Sequence, residues 1–128
     1  MRPRVAGVAV ALAVGGACVA QPASNAAPHF PKGTPYRSAR ATLTHTGYQP
    51  VPQQHRKPNY YCGVDPDEPG EPDLCSIYPE VIDCAGTGVR PCMFAFERKS
   101  DRKRLVVTTY GELTSRLMVS GTAWQPLR

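Results

Sequence analysis

The sequence lacks the patterns that would identify a membrane span, a redox site or a known catalytic centre. Its longest uncharged run of small and aliphatic side chains, residues 5–20, has 16 residues, fewer than the roughly 20 that a transmembrane helix needs. No two cysteines are separated by two residues, which excludes a thioredoxin-like redox motif. No reaction motif is present either, so the sequence alone does not identify a molecular function.

Proline and glycine are unusually abundant for a chain of this size. There are 14 prolines and 11 glycines among 128 residues, about a fifth of the chain against the roughly 12% of average proteins. Both residues interrupt helices, so a coiled coil or a long helical bundle is excluded. The length predicts one small domain with patchy regular structure.

The N-terminus has the features of a secretory signal peptide. Residues 1–20 begin with two arginines within the first four positions and continue as the uncharged apolar run. Ser24 and Ala26 supply small side chains at the two positions that a signal peptidase recognises. We therefore predict a signal peptide over residues 1–26 with cleavage before Ala27; cleavage after Ala20 is the alternative.

Cys18 allows a second interpretation of this N-terminus. A cysteine at the end of a bacterial signal can be lipidated, and Ala17 fits the residue before it, but Gly15 stands where leucine is usual. We expect a periplasmic or secreted protein, with an outer-membrane lipoprotein anchored through Cys18 as the alternative. Removal of residues 1–26, with two of the 15 basic side chains and no acidic one, lowers the net charge from +5 to +3.

Four cysteines remain after the predicted cleavage, and exported proteins keep such cysteines as disulfides. Four cysteines permit three pairings. The pairings Cys62 with Cys75 and Cys84 with Cys92 are favoured because each closes a short loop rich in turn-forming residues. The cysteine and histidine spacings do not match a structural zinc site. We predict no metal and no cofactor.

Residues 34–128 are predicted to form the folded domain, after a loose leader at 27–33. Thr34 and Pro35 resemble the N-cap and first position of a helix, and Gly47 a C-terminal stop. One helical face would contain three apolar side chains: Tyr36, Ala39 and Leu43. The apolar and polar residues over 39–46 also alternate as in a strand, so a strand is the alternative for residues 36–46.

A proline-rich and acidic middle follows this helix. Pro50 and Pro52 confine the extended segment 48–51 to a sheet edge. Residues 65–73 contain no apolar side chain except proline and predict an exposed acidic loop, without the ligand order of a calcium-binding EF-hand. The Gly86-Thr87-Gly88 segment predicts a disulfide-bounded turn, because the lysine of a phosphate-binding loop is missing.

The C-terminal part has the alternation of a β-hairpin and a third strand. Two alternating segments flank residues 99–102, and a further strand is predicted over 115–124. One face of this sheet would contain Phe94, Phe96, Leu105, Val107, Leu117 and Val119. The predicted class is therefore α+β: one N-terminal helix packed on a three- to four-stranded antiparallel sheet, with a disulfide-stapled, Pro/Gly-rich middle.

Two sets of residues are candidates for binding. The first set is Tyr60, Tyr61, Tyr78 and Glu80. Exposed tyrosines held between rigid turns are well suited to bind a protein or envelope ligand. The second is a basic patch at the hairpin turn: Arg98, Lys99, Arg102, Lys103 and Arg104. The patch has no interleaved aromatic platform, so nucleic acid is not the predicted partner.

Several short segments between residues 32 and 124 occur in a characteristic order. They are Lys32-Gly33-Thr34-Pro35-Tyr36, Ala39-Arg40, Leu43, Gly47-Tyr48-Gln49-Pro50, Tyr78-Pro79-Glu80-Val81, Cys84-Ala85-Gly86-Thr87-Gly88, Cys92 and Phe94-Ala95-Phe96. In this order the chain resembles a group of small exported proteobacterial proteins without assigned activity. More remotely, it is similar to the β-lactamase-inhibitor fold, shared with an outer-membrane assembly lipoprotein. The resemblance implies an α+β fold and no particular chemistry.

Two classes of function, a binding protein and an enzyme, are consistent with these sequence features. The favoured hypothesis is a non-enzymatic binding or inhibitor-like module of the periplasm, whose partner is an unknown protein or envelope component. The alternatives are a small cell-wall hydrolase and a protein that binds an anionic polymer or membrane surface of the envelope. A hydrolase would need a base beside a carboxylate, such as His45 or His55 against Glu80 or Asp83.

Overall fold

The computed structural model describes residues 7–17, 25–54, 73–85, 89–111 and 114–126. These residues form an α+β fold, as predicted, in which one main helix packs on an antiparallel sheet of five strands. The sheet has one or two strands more than expected. The elements are α1 (Tyr36–His45), β1 (Tyr48–Pro50), α2 (Leu74–Ile77), β2 (Val81–Cys84), β3 (Cys92–Arg98), β4 (Arg104–Tyr110), a 3₁₀ turn (Thr114–Arg116) and β5 (Met118–Trp124).

The sheet is organised around β3, which pairs with three strands. One edge of β3 pairs with β4, and β5 follows β4 in the sheet. The other edge is shared by two short strands: Pro50 of β1 pairs with Phe96, and Val81 of β2 pairs with Phe94. The prediction that residues 48–51 form an edge strand is therefore confirmed.

Residues 36–45 are helical, as predicted, and not a strand. The helix buries one apolar face against the sheet and ends before Gly47, whose φ of 96° is the left-handed conformation that favours glycine. The predicted N-cap is wrong, because Pro35 and not Thr34 precedes the first helical residue. Pro35 forms a bridge with Met118, and this pairing keeps it extended, so the helix begins one residue later.

The β3–β4 hairpin and a third strand are present as predicted. Phe94 lies opposite Val107 in the hairpin. The third strand begins only at Met118, because Thr114–Arg116 forms a 3₁₀ turn before it. All six residues predicted for one face are buried, namely Phe94, Phe96, Leu105, Val107, Leu117 and Val119. With the apolar face of α1, they form the core of the domain.

Residues 27–33, predicted as a loose leader, are attached to the sheet. Ala27 and Phe30 pack against the core. The Gly33 N–H donates to the carbonyl of Val119 at 3.2 Å, and the Val119 N–H donates to the carbonyl of Thr34 at 2.8 Å. The outer edge of β5 would otherwise present unpaired backbone groups, and this segment satisfies some of them.

The short helix α2 lies where the sequence predicted no helix. Its N-cap is Asp73, whose carboxylate accepts hydrogen bonds from the Cys75 N–H at 3.1 Å and the Ser76 hydroxyl at 2.8 Å. Asp73 is the last residue of the predicted acidic loop, and the rest of that loop lies outside the described residues. One carboxylate of the predicted acidic loop, that of Asp73, therefore serves as a helix cap.

The disulfide Cys84–Cys92 is present, as predicted. It joins paired residues of β2 and β3, with Cα atoms 4.0 Å apart. Cys75 is also disulfide-bonded. Its predicted partner Cys62 lies outside the described residues, as do Cys18 and the Gly86-Thr87-Gly88 segment. Within the described ranges, no helix has the length and apolar character needed to cross a membrane.

Candidate functional site

Glu80 lies at the junction of the two short edge strands. It immediately precedes β2, and its backbone carbonyl accepts a hydrogen bond from the Ala95 N–H of β3 at 2.9 Å. The carbonyl of Ala95 accepts from the Val51 N–H, beyond the end of β1, at 2.9 Å. The carboxylate of Glu80 has no exposed surface. A buried charge needs partners, and α1 supplies them.

Two side chains of α1 hold this carboxylate. The Tyr36 hydroxyl donates to Glu80 Oε1 at 2.7 Å, and Arg40 Nε donates to the same oxygen at 2.6 Å. Arg40 Nη2 lies 3.5 Å from Glu80 Oε2. Tyr36 and Arg40 are four residues apart and therefore project from the same side of the helix. We call Tyr36, Arg40 and Glu80 the Glu80 cluster.

The electrostatics of the Glu80 cluster stabilise its present protonation state. Burial raises the pKa of Tyr36 well above its ordinary value, and the charge of Glu80 raises it further. The hydrogen bond to Glu80 raises the pKa of Arg40. Both donors therefore keep their protons near neutral pH. The cluster links α1 to the sheet.

Tyr78, predicted as an exposed binding residue, belongs to the core. It is 8% exposed, and its ring lies edge-on to Tyr36 with a centroid separation of 4.9 Å. The guanidinium of Arg40 lies 5.8 Å from the centre of the Tyr78 ring. Both Tyr78 and Glu80 are thus buried. Tyr60 and Tyr61 lie outside the described residues.

The histidine–carboxylate contact expected of a hydrolase is not formed by His45. Glu80 is bonded to the two α1 side chains, and Asp83 Oδ1 accepts from the Cys84 N–H at 2.8 Å. His55 lies outside the described residues. Among the residues that the structure describes, no group of three or more histidine, cysteine or carboxylate side chains could hold a metal ion.

Arg98, the first residue of the predicted basic patch, is mostly buried. Its guanidinium donates two hydrogen bonds to Asp101, at 2.9 and 2.6 Å, and lies 4.6 Å from the centre of the Trp124 ring. The hydrogen bond from Arg98 holds the pKa of Asp101 at about 2, below its ordinary value of 3.8. The same bond raises the pKa of Arg98. This arginine is therefore a structural residue and not an exposed cation.

Three other cations of the patch also have partners. Arg102 lies 3.0 Å from Glu97, and Arg104 lies 3.9 Å from it. The ammonium of Lys103 lies 4.5 Å from the centre of the Trp124 ring. The signal for this pairing was present in the sequence, since Glu97 and Asp101 occur among the basic residues. Their pairing leaves a surface of weaker positive charge than the sequence predicted.

Lys99, the fifth cation, is exposed and lies beside a groove. Its backbone N–H donates to the carbonyl of Gly47 at 2.9 Å, which joins the hairpin turn to the end of α1. The groove between these elements has a volume of about 790 Å³. We call it the turn groove; it is lined by Ala26, Ala27, Pro28, Thr46, Gly47, Tyr48, Arg98, Lys99 and Ser100.

Trp124, at the end of β5, supports the turn groove, and sequence analysis had assigned it no role. Its ring stacks on Tyr48, with centroids 6.4 Å apart. Its Nε1–H donates to the carbonyl of Asn25 at 2.8 Å. In the full chain the indole therefore contacts the N-terminal segment, β1 and the hairpin turn. No local pattern indicates this role, because the partners are distant in the chain.

Comparison with family models, with curated proteins and with solved structures finds no match to this chain. The resemblances described from the sequence thus remain hypotheses.

Proposed function

We propose that this protein is an exported, non-catalytic binding module that recognises an anionic component of the cell envelope through the turn groove. The proposal depends on one observation: a groove of about 790 Å³ that includes the exposed cation Lys99. Cleavage before Ala27 would remove Ala26 from its lining and leave the other eight residues. Ligand sites are commonly concave and have volumes of about 300–1,000 Å³. The N-terminal segment, the α1–β1 connection and the β3–β4 turn form its walls. The hydrogen bond from the Lys99 N–H to the Gly47 carbonyl joins the last two before binding.

The charge distribution favours an anionic ligand. Arg98 and Lys99 both line the groove, and Arg98 is held in place by Asp101 and Trp124. The described residues that line it include no carboxylate. An anionic ligand would therefore meet Lys99 directly, with little repulsion from the walls. This favours the envelope-surface hypothesis over recognition through Tyr78, which is buried.

Binding is proposed in place of catalysis because of the state of the buried carboxylate. Glu80 accepts hydrogen bonds from Tyr36 and Arg40, and it has no exposed surface. A general acid or base must reach its substrate within hydrogen-bond distance. Among the described residues, no accessible pair of a base and a carboxylate supports the cell-wall hydrolase hypothesis.

Export is part of the same proposal. A charged N-terminus and an apolar run predict a signal peptide, and the disulfides at Cys84–Cys92 and Cys75 suit an oxidising compartment. The periplasm contains anionic polymers and lipid headgroups, which match the charge of the groove. The ligand and the compartment are therefore chemically consistent.

The test measures binding of the purified, oxidised protein to dextran sulfate, with neutral dextran as the reference polymer. Lys99→Glu should weaken binding to dextran sulfate by about tenfold, because it replaces an attraction by a repulsion. The matched control is Arg37→Glu, an equal charge change on the exposed side of α1. It should have less than a twofold effect.

Two results would contradict the proposal. Equal losses for Lys99→Glu and Arg37→Glu would mean that only the overall charge matters and that the turn groove is not a site. Loss of binding in Tyr61→Ala, with Lys99→Glu unchanged, would instead place recognition in the stapled middle.

A further inference from the structure

The peptide bond at which we predict signal-peptide cleavage lies at the wall of the turn groove. Ala26 and Ala27, the residues on its two sides, both line the groove. Ala26 is exposed, whereas Ala27 is half-buried and packs against the core. A group formed at the nitrogen of Ala27 would therefore lie at the groove and not at the end of a loose tail.

The residues that follow this bond are attached to the sheet. The Thr122 hydroxyl of β5 donates a hydrogen bond to the carbonyl of Pro28. The Gly33 N–H donates to the carbonyl of Val119, also in β5. These contacts lie on the C-terminal side of the predicted cleavage site, so cleavage leaves them in place, and Ala27 becomes the first residue of an attached segment.

Cleavage changes the charge at this position. Hydrolysis of the bond between Ala26 and Ala27 consumes one water: the carbonyl of Ala26 becomes a carboxylate, which leaves with the signal peptide, and the nitrogen of Ala27 becomes an α-ammonium. An α-amino group is mostly protonated at neutral pH. A neutral peptide N–H of the precursor is thus replaced by a cation in the exported protein.

The ammonium would be the second accessible cation of the groove. Lys99 is exposed, whereas Arg98 is mostly buried and donates two hydrogen bonds to Asp101, at 2.9 and 2.6 Å. Among the described residues that line the groove, none carries a carboxylate that could pair with the ammonium. An anionic ligand therefore meets one cation from the hairpin turn and one from the N-terminal segment.

Cleavage also releases a hydrogen-bond donor beside the groove. In the full chain, the Trp124 Nε1–H donates to the carbonyl of Asn25 at 2.8 Å, and Asn25 leaves with the signal peptide. The Trp124 ring lies 4.6 Å from the guanidinium of Arg98, which lines the groove. After cleavage, the indole N–H is available to water or to a ligand at the edge of the groove.

We propose that cleavage before Ala27 completes the anion site of this protein, in which the α-ammonium of Ala27 and the ammonium of Lys99 bind the same anionic ligand. The inference rests on the function proposed above and names a second binding group of the turn groove. The precursor has only the Lys99 charge at this place, so it binds polyanions weakly before export. Processing therefore increases the affinity of the site.

The first test compares two proteins of equal net charge. One begins at Ala27, and the other keeps Ser24-Asn25-Ala26 in front of it, which moves the terminal ammonium three residues upstream. At pH 7 the protein that begins at Ala27 should bind dextran sulfate about fivefold more tightly, the upper end for an exposed ion pair. Its affinity should also fall more steeply with salt concentration, because one more cation contacts the polymer.

The second test separates the charge of the amine from the length of the segment. Transamination with pyridoxal 5′-phosphate transfers the amino nitrogen of Ala27 to the reagent and leaves a ketone, and the lysines are unchanged once the reagent is removed. Dextran sulfate affinity should fall by about fivefold, since only the charge is lost. The same treatment of the longer protein is the control and should change affinity by less than about twofold.

Lys99→Glu distinguishes failure of this inference from failure of the proposed function. If Lys99→Glu weakens binding but the longer and the transaminated proteins bind as tightly as the one that begins at Ala27, the ammonium has no role and the inference is wrong, while the groove remains the site. If Lys99→Glu has no effect in either protein, the proposed function is wrong as well. An exported protein that begins at another residue would also overturn the inference, because the ammonium would then not form at Ala27.

Discussion

Substitution of Glu80 is the sharpest test of how the helix is attached to the sheet. Glu80→Gln preserves the size of the side chain and an oxygen that can accept from the Tyr36 hydroxyl, but it removes the charge that faces Arg40. Glu80→Ala also removes the acceptor and leaves a small void. The Tyr36 hydroxyl is then buried without its partner, since the residue is only 1% exposed. The two variants separate the ion pair from the hydrogen bond.

The expected losses follow from the burial of each partner. Breaking a fully buried ion pair costs about 3–5 kcal/mol, but the Arg40 side chain is 33% exposed and water can solvate it. We therefore expect Glu80→Gln to lower the free energy of unfolding by about 2 kcal/mol. An unpaired Tyr36 hydroxyl costs about 1–3 kcal/mol more, so Glu80→Ala should lose about 4 kcal/mol, a large fraction of the 5–15 kcal/mol typical of small domains.

The measurement is urea unfolding of the oxidised protein at pH 7. Asp83→Asn, which changes an exposed carboxylate nearby, is the control and should alter the free energy of unfolding by less than about 0.5 kcal/mol. A double-mutant cycle with Arg40→Met should give a coupling of about 1–2 kcal/mol with Glu80→Gln. A Glu80→Ala protein as stable as the Asp83 control would show that the cluster does not hold α1 on the sheet, and the reasoning would be refuted.

Three further predictions concern the staple, acid stability and processing. Replacing Cys84 and Cys92, which are eight residues apart, by serine should cost about 2.5 kcal/mol in urea unfolding, from the closed loop length; an unchanged midpoint would contradict this. Because Arg98 lowers the pKa of Asp101 from 3.8 to about 2, the contribution of Asp101 to stability is complete above about pH 5 and is lost as the pH falls towards 2. Acid titration of the unfolding midpoint should show this loss, and Asp101→Asn should remove it. N-terminal sequencing of the exported protein should begin at Ala27, whereas a diacylated mass starting at Cys18 would establish the lipoprotein alternative.

Local sequence patterns predicted the main elements of the fold. The helical spacing of Tyr36, Ala39 and Leu43 identified the buried face of α1, and Gly47 identified its end. The alternation around residues 94–107 identified the hairpin. These signals succeed because helical and strand periodicities depend on neighbours within a few residues. The helix start was misplaced because the pairing of Pro35 with Met118 joins residues far apart in the chain.

The candidate site was less predictable. Tyr78 and Glu80 were expected to face a ligand, yet α1 covers them, because Tyr36 and Arg40 project from its sheet side. Likewise, Arg98 stands in a basic run that suggests an exposed surface, but it is covered by its contacts with Trp124 and Asp101. The burial of these residues has no local signal, since it depends on which distant element packs above them. Only the pairing of Arg98 with Asp101, three residues later, is local.

The sequence by itself thus determined the class of the fold and the edge position of the proline-containing strand, and it favoured the Cys84–Cys92 disulfide among the possible pairings. Each of these follows from short-range properties: periodicity, the missing N–H of proline, and cysteines close in the chain. Only the tertiary structure decided which polar side chains are buried and paired and where cavities form. Burial depends on contacts between distant segments, as when Tyr36 and Arg40 of α1 cover Glu80, and so Lys99, not Tyr78 or Glu80, came to line a groove.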